Sequence, residues 1–273
     1  MLRDRARNPN GDSFLGETAD LNGKGASHFA PCPRTYEPLV ENGVVYKVAS
    51  NQHERAGAFR LVHDAYVDAG LIPRNVLQMR VMPQHLLPTT AVFVASNNQR
   101  VIATMTLVVD GELGLPMESV YAHEVCAMRQ RSRLGEVSAL ASVPAATAAA
   151  NLDVVVGLMR LMAQFARRHG VDHLLVAVHP RHARFYRRCF GFKPFGSEKS
   201  YPSVGNRLAV ALRLDLSWPE ADPPLHDKNY ELFFGKQIAD MHLGFSPIST
   251  AEMHFFASAV DNEPLPSGVL ACA

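Results

Sequence analysis

The stretch from residue 133 to residue 178 constrains the fold most, because it combines two strand-like runs with a helix between them. Residues 133–142 and 173–178 are largely apolar. Between them, apolar side chains recur at helical spacing, Asn151 can cap the helix and Gly170 can end it. A strand–helix–strand unit joins parallel strands through a right-handed crossover. The sequence therefore predicts an α/β chain with a mixed sheet.

The elements around this unit extend it into a larger twisted sheet flanked by helices. Ser50 can cap a helix that Gly70 can end, and Pro180 suits the first turn of another helix. Two β-rich runs joined by a polar turn predict an antiparallel hairpin. The predicted strands are residues 44–49, 91–95, 101–109, 133–142, 173–178 and 206–214.

Changes in composition divide the chain into three predicted regions. Residues 1–43 have little hydrophobic periodicity and are predicted to be a mobile leader. Residues 44–214 form the predicted α/β domain, and residues 215–273 form a C-terminal extension. Within that extension, Ser249 and Glu252 match a capping box, so a helix is expected to begin there.

Composition argues against several classes of protein. With 273 residues, 47% of them hydrophobic, the chain can bury a sizeable core. A formal net charge of +1 argues against a nucleic-acid-binding surface, and no apolar run approaches the roughly 20 residues that span a bilayer. The 4 cysteines and 12 histidines lack metal-ligand spacing, so we predict no metal site. The scattered cysteines also suggest free thiols in a reducing compartment, so we predict a cytoplasmic location.

Glu136 is a single carboxylate within an otherwise apolar predicted strand. Such a group is costly to bury unless it is paired, protonated or used in chemistry. The alternative is a partly exposed glutamate on an edge strand. Alternation along the strand predicts that Glu136 shares one face with Ser138, Leu140 and Ser142, and that the other face carries Val137, Ala139 and Ala141.

The element order and the end of the helix at residues 182–192 resemble the Gcn5-related N-acetyltransferase (GNAT) superfamily. In that superfamily an aromatic pair is followed, after a few residues, by Gly-Phe, as it is here at residues 185–192. The resemblance implies a GNAT-like acyltransferase fold. Typical members hold the coenzyme A pyrophosphate on a glycine-rich loop, but residues 142–151 contain no glycine. This departure favours the branch whose acyl donor is acyl carrier protein.

Two families in that branch look similar to this chain: the autoinducer synthases and the FeeM-like N-acyl amino acid synthases. Glu136-Val137-Ser138 matches the Glu-x-Ser/Thr-Arg motif of the autoinducer synthases, but Ala139 stands where arginine is expected. Residues 59–66 and 113–117 look closer to the FeeM-like family. The resemblance implies transfer of a fatty acyl group from an acyl carrier protein thioester to the amine of an amino acid. It also implies no permanently bound cofactor, with acyl-phosphopantetheine or acyl-CoA as the donor.

The same resemblance suggests roles for individual residues. Glu136 would act as the base, and Tyr186 would protonate the departing thiolate unless it is only a core aromatic. Arg60 could bind a substrate carboxylate, and its alternative is a solvated surface arginine. Three further candidates for substrate binding are Tyr66, Ser138 and Val176, the last on a strand whose backbone amides could bind the pantetheine arm. A basic face for the acidic carrier protein would comprise Arg160, Arg181, Arg184 and Arg188.

Two other functions remain open at this point. One is an acetyl-CoA-dependent N-acetyltransferase with an atypical loop, and the other is a non-catalytic module that binds an acyl group. The walls of an acyl pocket are expected in residues 71–90 and 113–120. The sequence determines neither the length of the acyl group nor the identity of the acceptor amine.

Overall fold

A nine-stranded sheet forms the centre of the protein. The computed structural model describes residues 37–144, 147–218 and 227–260. The strands are β1 (Leu39–Glu41), β2 (Val44–Val48), β3 (Thr90–Asn97), β4 (Arg100–Val109), β5 (Leu134–Ser142), β6 (His173–Val178), β7 (Lys193–Pro194), β8 (Lys199–Tyr201) and β9 (Arg207–Asp215). Their order across the sheet is β1-β2-β3-β4-β5-β6-β9-β7, and β8 pairs with β9. Neighbouring strands are antiparallel except for β5 and β6, which are parallel.

Helices cover both faces of the sheet. They are α1 (Gln52–Asp68), α2 (Glu118–Arg129), α3 (Ala148–Arg168), α4 (Pro180–Cys189), α5 (Lys228–Phe234) and α6 (Thr250–Ala257). Neighbouring residues of β3 point to opposite faces, so Phe93 packs against Phe165 of α3 while Val92 and Val94 join a cluster with Phe59 of α1. The larger core therefore lies between the sheet and α3, and α1 covers the other face.

The predicted strand–helix–strand unit is present, with β5 and β6 parallel and α3 between them. Gly170 ends α3 with φ +73°, a value that suits glycine because it has no Cβ. Pro180 occupies the first turn of α4. The capping box of Ser249 and Glu252 begins α6. The mixed α/β sheet with flanking helices is therefore confirmed.

Several boundaries differ from the prediction. Asn51, not Ser50, caps α1, because its side chain accepts a hydrogen bond from the backbone N–H of Glu54. Thr147, not Asn151, caps α3, since the three alanines that follow it are strong helix formers and extend the helix. The sheet begins before residue 44, at β1, and most of the predicted leader, residues 1–36, lies outside the described residues.

A β-bulge in β5 overturns the predicted alternation of its side chains. Ala139 has φ +52°, and the β4–β5 register shifts between Thr104 and Thr106. Two residues of β5, Ala139 and Leu140, therefore lie opposite a single residue of β4, Met105. As a result, Val137 and Leu140 pack towards the α3 core, whereas Ala139 and Ala141 cluster with Val62 and its neighbours on α1.

The cysteines and the longest helix bear on two further predictions from composition. Cys126 is disulfide-bonded, so the prediction of free thiols is wrong for this residue, whereas Cys189 is free and exposed. Helix α3 has 21 residues and passes a length and hydropathy test for a membrane span, with half of the tested window buried inside the protein. Its apolar side chains, including Met159 and Phe165, form the core beneath the sheet. In this structure α3 is therefore a core helix.

Candidate active site

The two parallel strands separate immediately after Glu136. Strands β5 and β6 pair through Leu134–His173, Gly135–Leu174 and Glu136–Leu175, and within the described residues their pairing stops there. Both strands continue, β5 to Ser142 and β6 to Val178. The gap between them opens into a cavity of about 930 Å³.

The cavity brings together five of the six residues predicted for catalysis or substrate binding: Tyr66, Glu136, Ser138, Val176 and Tyr186. Much of the remaining wall is apolar and comes from the separated strands, the first turns of α3, and α4. These lining residues include Val137, Leu140, Leu152, Val155, Val178 and Phe185. Ala145 and Ala146 of the glycine-free loop lie outside the described residues. The site thus combines a buried carboxyl group with a largely apolar chamber.

The Glu136 carboxyl group is buried and held in place by a backbone group. Its side chain is only 3% exposed, and its Oε2 accepts a hydrogen bond of 2.8 Å from the backbone N–H of Met117. Burial raises the pKa of Glu136 to about 8, the negative charge of Glu118 adds to this rise, and the Met117 N–H opposes it. A carboxyl group with a pKa near 8 can both accept and release protons near neutral pH.

Ser138 and Val176 lie on the two strands beyond the point of separation. The Oγ of Ser138 is buried and has no hydrogen-bond partner among the described residues. Its hydroxyl can donate to, or accept from, a molecule in the cavity. On β6, the residues from Val176 onward pair with β9 but not with β5. The cavity edge of β6 is therefore a place where a ligand could take up backbone hydrogen bonds.

Two tyrosines line the cavity together with Glu136. Burial raises the pKa of Tyr66, the charge of Glu136 adds to the rise, and the guanidinium of Arg80 opposes it. Burial also raises the pKa of Tyr186 far above its usual range. Both hydroxyls therefore stay protonated at neutral pH, and a protonated Tyr186 in the cavity wall is a possible proton donor.

The structure does not bring Arg60 to the cavity. Arg60 is exposed on α1, whose inward positions include Phe59 and Val62, and it is not among the cavity residues. The role of Arg60 in binding a substrate carboxylate stays a prediction, and its exposure favours the alternative, a solvated surface arginine. Arg80 lines the cavity instead and is 4% exposed. Sequence reasoning missed this residue, although a lone charge within the apolar run 79–82 is the same kind of signal that singled out Glu136.

The predicted basic face separates into two parts. Arg160 donates to the backbone carbonyl of Leu232 at 3.1 Å and lies 3.7 Å from Glu41, so it joins α3 to α5 and β1. On α4, Arg181 lines the mouth of the cavity, and Arg184 and Arg188 are also exposed. Arg160 is thus engaged in contacts within the protein, whereas the three arginines of α4 share one exposed helix.

The described residues contain no group of three histidine, cysteine or acidic side chains able to hold a metal ion. The groups present at the cavity are a buried carboxyl, protonated phenols, a hydroxyl and unpaired strand edge. Such groups can accept a proton from a nucleophile and donate one to a leaving group. This chemistry suits attack of an amine on an acyl thioester, which requires no covalent intermediate on the enzyme.

A search among solved structures shows which proteins share this architecture. FeeM, described as an N-acyl amino acid synthase from uncultured soil microbes, is 26% identical with a TM-score of 0.58, and the match covers 67% of this chain and 95% of FeeM. LasI, an AHL synthase, is 14% identical with a TM-score of 0.55, covering 72% of this chain and 97% of LasI. BjaI, a CoA-dependent acyl-homoserine lactone synthase, is 20% identical with a TM-score of 0.51, and the match covers 64% of this chain and 84% of BjaI. The latter two likenesses concern the fold alone.

A family comparison gives a more specific result. The family model for N-acyl amino acid synthase FeeM matches residues 57–215, more than half of the chain. A search among curated proteins returned no match. Because the family match runs from α1 to β9 and includes the residues around Glu136, the chain belongs to the FeeM family of N-acyl amino acid synthases and is an acyltransferase.

Proposed function

We propose that this enzyme transfers a fatty acyl group from the thioester of acyl carrier protein to the amine of an amino acid. The observation that carries the proposal is the position of Glu136, a buried carboxyl group at the point where β5 and β6 separate. A donor thioester placed in this gap would have its carbonyl carbon beside both the carboxyl group and the open edge of β6. The apolar walls would accommodate the acyl chain.

The reaction is an aminolysis of the thioester, in which Glu136 accepts a proton from the acceptor amine. An α-amino group has a reference pKa of about 8, so most of it is protonated at neutral pH. The Glu136 carboxylate accepts a proton from the ammonium group, and the neutral nitrogen attacks the thioester carbonyl. The C–N bond forms, the attacking nitrogen releases its remaining extra proton to solvent, and the C–S bond breaks. The tetrahedral oxyanion is stabilised by the backbone N–H groups of β6.

The leaving thiolate needs a proton, and Tyr186 is the proposed donor. Its pKa lies above the usual range for tyrosine, so its hydroxyl is protonated throughout the physiological range. Donation to sulfur would be followed by reprotonation of the phenolate from the protonated Glu136 or from solvent. Ser138, with a buried hydroxyl, is proposed to bind the substrate beside the carboxyl group.

The charge of α4 supports acyl carrier protein as the donor. Arg181, Arg184 and Arg188 form an exposed basic surface next to the cavity mouth, which complements an acidic partner. The first turn of α3 borders the cavity through Ala148 and Asn151, without a glycine-rich cradle for pyrophosphate. BjaI, which has a similar fold, is described as a CoA-dependent synthase, so acyl-CoA is the alternative donor. The cytoplasmic location stays a prediction.

A direct assay tests this proposal. The full chain is incubated with a panel of amino acids and either acyl carrier protein or coenzyme A carrying the same acyl group, and products are identified by mass spectrometry. We expect N-acyl amino acid from acyl carrier protein at much lower donor concentration than from acyl-CoA. Preferential use of acetyl-CoA, together with tight binding of coenzyme A in calorimetry, would support the acetyltransferase reading instead.

A further inference from the structure

We infer that Arg80 is the binding site for the carboxylate of the acceptor amino acid. This inference rests on the proposed function and adds a recognition element to it. It makes the preferred acceptor an α-amino acid with a free carboxylate rather than a simple amine. Arg80 lines the same cavity as Glu136 and is almost completely buried.

The backbone around Arg80 directs its side chain into the cavity. Alternate residues of an extended segment point in opposite directions. Met79 and Val81 pack into the apolar cluster formed with α1 and α6, whereas Arg80 and Met82 line the cavity. The Arg80 backbone N–H donates to the carbonyl of Phe59 at 3.1 Å, which fastens the segment to α1.

Elements distant in sequence also hold this segment. Val81 forms a parallel β-bridge with Val260, beyond the end of α6, and Met79 exchanges two hydrogen bonds with the side chain of Asn75. The bridge comes from the C-terminal extension, which lies outside the residues matched by the family model. A guanidinium carried on such a well-fixed segment is pre-organised for a ligand.

The guanidinium is oriented beside Tyr66. Its Nη2 donates to the backbone carbonyl of Ser203 at 3.0 Å, and its Cζ lies 5.2 Å from the centre of the Tyr66 ring. The charge of Glu136 also raises the pKa of Tyr66, so this tyrosine lies near both Arg80 and Glu136. An α-amino acid carries its amine and carboxylate on one carbon. With the amine at Glu136, its carboxylate would lie towards Arg80.

The surroundings favour Arg80 over the other arginines of the cavity. Three arginines line it among the described residues, and Arg181 and Arg207 are exposed whereas Arg80 is buried. A charge-assisted hydrogen bond is stronger away from water, and a guanidinium can bind a carboxylate through two parallel hydrogen bonds. Through Ser203 and Tyr66, the Arg80 guanidinium lies on the α1 side of the sheet. Helix α3, whose first turn borders the proposed site of the acyl donor, lies on the opposite side.

The test compares a carboxylate with its closest neutral analogue. Calorimetry measures binding of N-dodecanoyl-phenylalanine and N-dodecanoyl-phenethylamine, which differ only in the carboxylate, to the full chain and to Arg80→Met. We expect the wild-type protein to bind the acid at least about tenfold more tightly, and Arg80→Met to lose this preference while still binding the neutral analogue. The matched control, Arg60→Met, should keep the preference because Arg60 is exposed outside the cavity.

Other outcomes are equally informative. A wild-type protein without preference for the acid, or a preference that survives in Arg80→Met or disappears instead in Arg207→Met, would overturn the assignment. If Arg80→Met does not fold, Arg80→Lys should fold and retain only part of the preference, since lysine cannot form the paired hydrogen bonds; full retention would count against the site. Because binding needs no turnover, absence of acyl transfer would contradict the proposed function while leaving this result interpretable.

Discussion

The backbone N–H of Met117 donates a 2.8 Å hydrogen bond to the carboxyl group of Glu136. Met117 precedes the first turn of α2, and the adjacent Glu118 accepts from the backbone N–H of Leu115 at 2.6 Å. Arg129, at the end of α2, joins Glu118 to Asp110 through ion pairs. The start of α2 is therefore held in place beneath the proposed base, and its charges influence that base.

Removing the charge of Glu118 should change the pH dependence of acyl transfer. Because the Glu118 carboxylate raises the pKa of Glu136, Glu118→Gln should lower that pKa and move the rising limb of the rate profile to lower pH. We expect the rising limb of the kcat/KM profile to move towards lower pH, with the plateau rate little changed. The control Glu112→Gln, an exposed residue, should leave the profile in place. An unchanged limb in folded Glu118→Gln would contradict the electrostatic role.

The burial of Glu136 should also appear in stability. Its pKa rises from the usual value of 4.5 to about 8 on folding, so between these values the folded state binds more protons than the unfolded state. The contribution of Glu136 to the free energy of unfolding must therefore fall as pH rises through this window. Glu136→Gln should stabilise the protein relative to wild type, increasingly so towards pH 8. Denaturant titrations across the window measure this difference, and a constant difference would argue against a buried, titrating carboxyl group.

The bulge at Ala139 gives a third prediction. A non-glycine residue at φ +52° is strained, and glycine relieves the strain at some cost in chain entropy. Ala139→Gly should therefore leave the free energy of unfolding unchanged or raise it by up to about 1 kcal/mol. Ala139→Val should lower it by about 2 kcal/mol or more, because a branched side chain resists positive φ. Equal losses in both variants would show that packing, not backbone strain, governs this position.

Charge reversal on α4 tests the carrier-protein surface. The double variant Arg184→Glu, Arg188→Glu should raise KM for the acyl carrier protein donor by about tenfold, with little effect on kcat. The effect should weaken at high salt, and KM for the acyl-CoA donor should change much less. The matched control is Arg100→Glu, an exposed arginine at the start of β4. An equal rise in KM for both donors would place the arginines in donor binding generally.

Local patterns predicted much of the fold and part of the site. The β5–α3–β6 unit follows from hydrophobic periodicity and from the glycine that ends the helix, and Glu136 is conspicuous as a carboxylate in an apolar strand. Five predicted site residues meet at the cavity because the parallel strands carrying three of them separate after Glu136. The assignment of catalytic and binding roles to these residues stays a proposal.

The remaining features depend on contacts between distant parts of the chain. Arg80 lies in a proline-containing segment without periodicity, and its burial depends on Ser203 and on the Val81–Val260 bridge. Helix α2 was not predicted from the sequence, and Met117, the residue before its first turn, makes no side-chain cap that would signal its start. The bulge at Ala139 could not be predicted from the sequence, because alanine does not favour positive φ.

The measurement that most directly tests the account is the rate of acyl transfer by Glu136→Gln. Glutamine preserves the shape of the side chain and can accept the Met117 hydrogen bond, but it cannot take a proton from the amine. We predict a loss in kcat/KM of about 100-fold or more at pH 8, where the wild-type carboxyl group is substantially ionised, in a variant that stays folded. A folded Glu136→Gln enzyme with the wild-type rate and pH profile would contradict the central claim.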